Sequence, residues 1–315
     1  MSVYTRVERE ELEAFLRRYA VGPLVDFRGI SAGIENTNYF VTTEDGEWVL
    51  TLFETVSARE LPYFLNLMDH LARRGLPTAA PLADHEGEFL QQLNARPAAL
   101  VRRLPGASPE QPNAVQCEAM GEVLARMHQA ARDYPATREN SRGPAWWRPT
   151  AERLYPVLPA EDAGLLREEL AFQSQVRQAV LPRGVIHGDL FHDNVLFEGD
   201  QLTGVIDFYY ACNDVLLYDL AVAVNDWCSH DDGKLDAALQ AAVLSGYERV
   251  RPLQGDERDS WNALLRAAAL RFWLSRLQDL HFPRAGEMTH TKDPGIFRRI
   301  LLQRIEQPVV MPELP

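Results

Sequence analysis

The chain has 315 residues, 46% of them hydrophobic and 24% charged, a balance that excludes a disordered or fibrous protein and leaves room for two buried cores. Asp and Glu total 45 against 32 Lys and Arg, and a net charge of -13 argues against a broad surface tracking nucleic-acid phosphates. The three cysteines, Cys117, Cys212 and Cys228, form no C-x-x-C pair, and neither an apolar leader nor a run of about 18 uncharged apolar residues occurs. A cytoplasmic protein with no membrane and no nucleic-acid partner is expected.

Thr5 and Glu8 have capping-box spacing, and Leu12, Phe15, Leu16 and Tyr19 follow at helical intervals, predicting an opening helix that stops at Gly22-Pro23. Strands are expected over 24–30, 38–43 and 48–53, an antiparallel meander turning at Glu44-Asp45-Gly46. Residues 57–74 carry Leu61, Phe64, Leu65, Met68 and Leu71 at helical spacing, with Pro62 tolerable in the first turn and Gly75 as the stop. Short strands near 81–83 and 88–93 and another from 98 to 103 complete an N-terminal lobe, 1–104.

Past Pro112 the pattern turns helical. Asn113 caps a helix bearing Val115, Met120, Val123, Leu124 and Met127, a polar Trp-rich stretch runs through Trp146-Trp147, and a helix is expected over 161–180. Between Val185 and Phe208 short apolar runs alternate with loops dense in His, Asp, Asn and Gly, the arrangement of a site carried on loops between strands. Helices are predicted again over 214–227, 233–250, 257–280 and 294–304. The fold class is α+β: a small antiparallel-sheet lobe followed by a larger, mainly helical one, 105–315.

Residues 187–194 read H-G-D-L-F-H-D-N, and Asp207 follows in V-I-D-F. Phosphoryl transfer from Mg-ATP needs a carboxylate to orient the acceptor hydroxyl and take its proton, plus hard oxygen ligands for Mg²⁺. The spacing H-x-D-x-x-x-x-N is that of a kinase catalytic loop, with Asp189 as base and Asn194 and Asp207 as metal ligands. Taken singly, His187 reads as a packed histidine, Asn194 as a turn residue and Asp207 as a strand end. His192 and Asp193 read as a solvent-facing insert before metal ligands.

H-G-D-L-F-H-D-N with V-I-D-F resembles the motif of the aminoglycoside phosphotransferase and choline kinase superfamily, which has Gly where protein kinases carry Arg. Longer words, G-I-S-A-G-I-E-N-T-N-Y-F, W-V-L-T-L-F-E, N-D-W-C and L-R-F-W-L-S-R-L, resemble one branch, the type II homoserine kinases. The resemblance implies a protein-kinase-like two-lobe fold and the reaction of ATP with L-homoserine to give O-phospho-L-homoserine, a step of threonine biosynthesis. It implies catalysis at Asp189 with His187, and a loop over the ATP phosphates containing Gly29, Ser31, Gly33, Asn36 and Asn38, a stretch that alone reads equally as a hairpin turn.

The third-strand position that holds a phosphate-binding lysine in kinases falls at Thr51, which also removes the usual partner of Glu60. Adenine is expected on the backbone of the hinge strand, with Arg102 and Leu104 as candidates, although Arg102 and Arg103 read equally as solvated strand charges. For an amino-acid acceptor the carboxylate asks for a guanidinium fork, and Arg271, Trp273 and Arg276, with Asp226 and Trp227, are the candidates. Arg276 reads equally as an ion-pair partner of Asp279. The same chemistry on choline, an aminoglycoside or a thiosugar is the alternative, and a nucleotide-binding pseudokinase, suggested by the missing lysine, is a further one.

Overall fold

The computed structural model describes residues 5–30, 36–176, 180–283 and 292–312. They fall into two compact units, the first ending at Pro105 and the second starting at Gly106.

In the first unit, α1 (Arg9–Leu16) begins one turn later than Thr5 suggests, because the cap is made by Glu8, whose N–H donates to the Glu11 carboxylate at 2.8 Å. Thr5 instead ties the N-terminal segment to the sheet, its N–H on Thr37 Oγ1 at 3.0 Å and its hydroxyl on Glu54 at 2.7 Å. The sheet comprises β1 (Leu24–Gly29), β2 (Thr37–Thr43), β3 (Gly46–Leu52), β4 (Gln91–Leu93) and β5 (Arg96–Arg102), antiparallel throughout in the order β1-β2-β3-β5-β4. Between β3 and β4 runs α2 (Leu61–Arg73), ended by Gly75 at φ 78°, where a side chain would be strained.

Strict alternation along β2 turns Thr37, Tyr39, Val41 and Thr43 inward. Tyr39 and Val41 meet Leu50, Leu52 and Leu100 from the next strands and Leu12, Phe15 and Leu16 from α1 in one core. The strand expected at 81–83 contracts to a single bridge, Pro81 with Val101, since Pro81 has no N–H to extend a ladder.

The second unit contains α3 (Ala114–Ala130), α4 (Pro144–Leu154), α5 (Ala160–Gln173), β6 (Arg183–Ile186), β7 (Val195–Glu198), β8 (Gln201–Val205) and β9 (Cys212–Val215). The helices α6 (Leu216–Trp227), α7 (Ala237–Val250), α8 (Gly255–Asp259), α9 (Trp261–His281) and α10 (Pro294–Glu306) follow. Asn113 caps α3 as its sequence indicates, accepting from Gln116 N at 2.9 Å. The polar, Trp-rich stretch, to which the sequence assigned no element, contains α4: Pro144 opens it, and Trp147, Thr150, Ala151 and Leu154 bury one face. The helix expected to reach 180 ends at Gln173, and residues 214 and 215 pair as strand β9 with β6 before α6 starts.

Helices α3 and α7 approach closely because each presents a glycine to the other. A Cβ at Gly121 would lie 2.1 Å from Val243 O, and one at Gly246 would lie 2.0 Å from Glu118 O, so neither position admits a side chain without moving a backbone. The hairpin β7–β8 and the pair β6–β9 bracket the loop that carries the motif. Underneath it lies α6, apolar on nearly every side, whose buried residues include Asp219 and Asn225.

Candidate active site

One face of α6 holds the loop 187–194 in shape. Asp219, fully buried, accepts from His187 N at 2.7 Å and Gly188 N at 2.8 Å, and its Oδ2 also meets His128 Nε2 at 3.0 Å. Two turns further on, Asp226 accepts from both the backbone N–H and Nδ1 of His192, each at 2.7 Å, and Trp227 Nε1 donates to Leu190 O at 3.0 Å. Spacings of seven and eight residues put these three side chains on the same side of a helix. Burial pushes the Asp219 carboxyl up, but the hydrogen bond and charge of His128 and the other donors outweigh it, holding the group below its ordinary value. The bond from Asp226 raises His192 above its usual range.

Gly188 sits at φ 77° with a notional Cβ 2.9 Å from Tyr210 O, which lets the chain turn sharply between His187 and Asp189. His187 is fully buried, its Nε2 3.0 Å from Ile206 O while Nδ1 accepts from Asp189 N at 3.3 Å. Burial depresses its pKa, so the ring is neutral. Both nitrogens are occupied by backbone, which makes His187 a positioning residue rather than the catalytic group expected from the motif.

Asp189 keeps 19% of its side chain exposed, with Arg271 Nη1 at 3.9 Å from its Oδ1. Burial pushes its carboxyl up to about 8; Arg271 pulls it down, and the neighbouring charge of Asp207 pushes it further up. Asn194 Nδ2 donates to Asp189 O at 2.8 Å, and its Oδ1 accepts no hydrogen bond among the described residues. Asp207 is held at φ 64°, a left-handed conformation that an Asp side chain adopts only at a cost.

An amide oxygen and a carboxylate beside a second acid are hard donors suited to Mg²⁺, which takes few protein ligands and fills its shell with water and phosphate oxygens. Asn194 and Asp207 therefore fit the ion that the motif calls for.

The remaining acceptor candidates separate. Trp227 and Trp273 are 2% and 1% exposed and leave no face for a small molecule, so both are corrected to core residues. Asp226 is spent on His192 and belongs to the support of the loop. Arg276 lies over the Phe297 ring, 4.5 Å from its centroid, and donates to Asp293 O at 2.9 Å rather than pairing with Asp279. Of these candidates Arg271 is the one within ion-pair range of Asp189 among the described residues. Lys292, which sequence reasoning passed over, pairs with Asp193 at 3.0 Å and adds positive charge near Asp189; no local motif announces it, since it approaches from the segment preceding α10.

In the first unit Gly29 ends β1 opposite Tyr39, whereas Ser31 and Gly33 lie outside the described residues. Asn36 accepts weakly from Glu54 N at 3.4 Å, and Asn38 Oδ1 accepts from Thr51 Oγ1 at 2.8 Å, so Thr51 is tied into the β2–β3 pair. Glu60 accepts from Ser57 Oγ at 2.8 Å at the start of α2. At the hinge, Arg102 N is taken by Ala80 O at 2.9 Å and Arg103 N by Glu47 O at 3.1 Å, which removes Arg102 as an adenine donor. Leu104 has neither its N–H nor its C=O in a hydrogen bond among the described residues.

Residues 26–253 match the phosphotransferase enzyme family. A homoserine kinase of Methylobacillus flagellatus is 53% identical over 305 residues, covering 97% of this chain and 96% of that one. A homoserine kinase of Neisseria meningitidis is 49% identical over 302 residues, 96% of this chain and 99% of the other. Among solved structures, an amicoumacin kinase superposes with a TM-score of 0.72 at 16% identity, covering 98% and 96% of the two chains. The choline kinase of Cryptosporidium parvum gives 0.67 at 12% identity, covering 95% and 96%. The fold is thus that of the protein-kinase-like phosphotransferases.

Proposed function

The chain belongs to the phosphotransferase enzyme family and, within it, to the homoserine kinases, and from that footing we propose that it transfers the γ-phosphoryl group of ATP to the side-chain hydroxyl of L-homoserine. The product is O-phospho-L-homoserine, an intermediate of threonine biosynthesis. The observation that carries the reading is a single loop, braced at three points by α6, that presents Asp189 beside Asn194 and Asp207, in a chain about half identical to homoserine kinases along its length.

In its carboxylate form, which the charge of Arg271 favours, Asp189 orients the acceptor hydroxyl toward the γ-phosphorus and accepts its proton as the new O–P bond forms and the bond to the bridging oxygen of ADP breaks. Asn194 and Asp207 are the residues that would hold Mg²⁺, which when bound supplies charge neutralisation at the phosphates. Asp219, His187, Asp226 and Trp227 fix the loop so that Asp189 is held ready before substrate arrives. We assign residues 1–104 to the nucleotide and 105–315 to catalysis and acceptor. The loop amides near Gly29 and the polar side chains of Asn36 and Asn38 serve the phosphates, and the free backbone groups of Leu104 serve adenine. With a threonine at position 51, phosphate charge is met without a third-strand ammonium.

The test is ADP release from Mg-ATP with L-homoserine, choline, an aminoglycoside and methylthioribose as acceptors. Turnover confined to L-homoserine is expected. Turnover of another alcohol with none of homoserine refutes the acceptor, and ATP binding without turnover of any refutes the enzymatic reading.

A further inference from the structure

Three cations surround Asp189 on the acceptor side, and two of them have partners. Arg276 donates to Asp293 O at 2.9 Å, and Lys292 pairs with Asp193 at 3.0 Å. Arg271 differs. Its side chain is only 5% exposed, yet none of its N–H groups donates a hydrogen bond among the described residues. Among the described residues one carboxylate comes within 4 Å of it, Asp189 at 3.9 Å, beyond hydrogen-bond reach. A guanidinium carries five donors and keeps its charge at every accessible pH, so burying it without acceptors is costly unless an anion completes the site.

The packing around Arg271 defines what that anion can be. The guanidinium carbon lies 4.9 Å from the Tyr210 ring centroid and 3.8 Å from the Phe272 ring centroid, so aromatic rings flank the cation and its five N–H donors are left for an acceptor that a ligand brings. A carboxylate matches that fork with two parallel N–H···O bonds. Were Arg271 a counter-ion for Asp189 alone, the pair would close to about 2.8 Å rather than stand apart.

Asp189 and Arg271, 3.9 Å apart, can both be reached by one short hydroxy acid lying across the pair. A hydroxyl bonded to Asp189 at about 2.7 Å can place a carboxylate carbon four bonds away, on the order of 5 Å, beside the guanidinium.

We propose that Arg271 is the residue that selects the acceptor: its guanidinium binds the α-carboxylate while Asp189 holds the hydroxyl, confining the enzyme to short alcohols that carry an anion at that separation. This rests on the homoserine reading and deepens it, for it makes the carboxylate, and not the ammonium, the group read by the C-terminal unit.

The test compares L-homoserine with 3-aminopropan-1-ol, which keeps the hydroxyl and the ammonium and lacks the carboxylate. Wild type is expected to favour homoserine by about 100-fold or more in kcat/KM, the loss expected for two charge-assisted bonds. In Arg271→Gln that preference collapses toward unity, with KM for homoserine raised about 100-fold; since Arg271 also lowers the Asp189 carboxyl, both acceptors lose kcat, and the ratio of the two kcat/KM values is the readout. Arg271→Lys, which keeps the charge without the fork, retains part of the preference.

An equal loss on both acceptors in Arg271→Gln would overturn the proposal and reduce Arg271 to a positioning residue for Asp189. Melting curves and ATP binding establish that the variant is folded; should it not be, wild type that fails to discriminate between the two acceptors overturns the proposal without any variant. Homoserine turnover with full preference retained in Arg271→Gln defeats this inference alone, whereas wild type inactive on homoserine and active on another alcohol defeats the homoserine reading and this one with it.

Discussion

Replacing Asp219 by Asn tests whether the loop is shaped from beneath. The carboxylate takes three donors in a fully buried place: His187 N and Gly188 N, at 2.7 and 2.8 Å, and His128 Nε2 at 3.0 Å. A carboxamide of the same shape has one accepting oxygen. If that oxygen serves His187 N and His128, the NH₂ group faces the N–H of Gly188, donor against donor. Losing a buried hydrogen bond to a charged acceptor costs about 1.5–3 kcal/mol, and the surviving bonds lose their charge assistance. A destabilisation of about 3 kcal/mol follows, or roughly 6–12 °C in Tm for a unit of this size.

Gly188 joins His187 to Asp189, so the same change displaces Asp189. A shift of about 1 Å costs on the order of 100-fold in kcat, while KM for ATP should stay within a few-fold because Asp219 lies beneath the loop. The pH dependence has a definite sign. A carboxyl held low in the folded state contributes stability that is present above its unfolded value, about 3.9, and is lost as pH falls through the folded one. Wild type therefore loses stability below about pH 4 through a component that Asp219→Asn lacks. Thermal melting from pH 2.5 to 7, with steady-state kinetics at pH 7, reads both. A variant with wild-type Tm and kcat would refute the bracing role of α6.

Asp189→Asn should reduce kcat by several orders of magnitude while leaving Mg-ATP affinity, measured calorimetrically, within a few-fold; an undiminished rate would remove Asp189 as the base. Asp207→Asn together with chelation of divalent cations should abolish ADP release, and activity persisting in excess chelator would contradict the metal assignment. Gly121→Ala sets a methyl 2.1 Å from Val243 O, so α3 and α7 must part; overpacking of about 1–3 kcal/mol outweighs the gain in helix propensity of about 1 kcal/mol, and a Tm at or above wild type would refute the close approach. The three cysteines are buried, and burial pushes the Cys212 thiol up to about 12, so native protein should react with no aromatic disulfide reagent until it is denatured, when three thiols appear.

Much of the fold is legible locally. The Asn113 cap, the inward alternation along β2 and the positive-φ glycine that ends α2 are consequences of neighbouring residues, and each lies where the sequence indicates. Reading fails where a local rule meets distant packing. Thr5 has capping spacing but is drawn to Thr37 and Glu54, and the Trp-rich stretch forms α4 because Trp147 finds a core to enter.

The candidate site divides in the same way. The sequence by itself determined the candidate loop, because Asp189 and Asn194, five residues apart, share one short turn, and their spacing is their geometry. Only the tertiary structure showed which of Asp226, Trp227, Arg271, Trp273 and Arg276 are already engaged by other parts of the chain, since the chemistry of these residues suits packing and binding alike. Asp226 and Trp227 were claimed by loop atoms 34 and 37 residues away, Trp273 by the core, and Arg276 by a carbonyl 17 residues on. Arg271 was left, buried and without a hydrogen-bond partner among the described residues, at a place set by packing across α9 and the 3-10 turn at Tyr210 rather than by any motif around it.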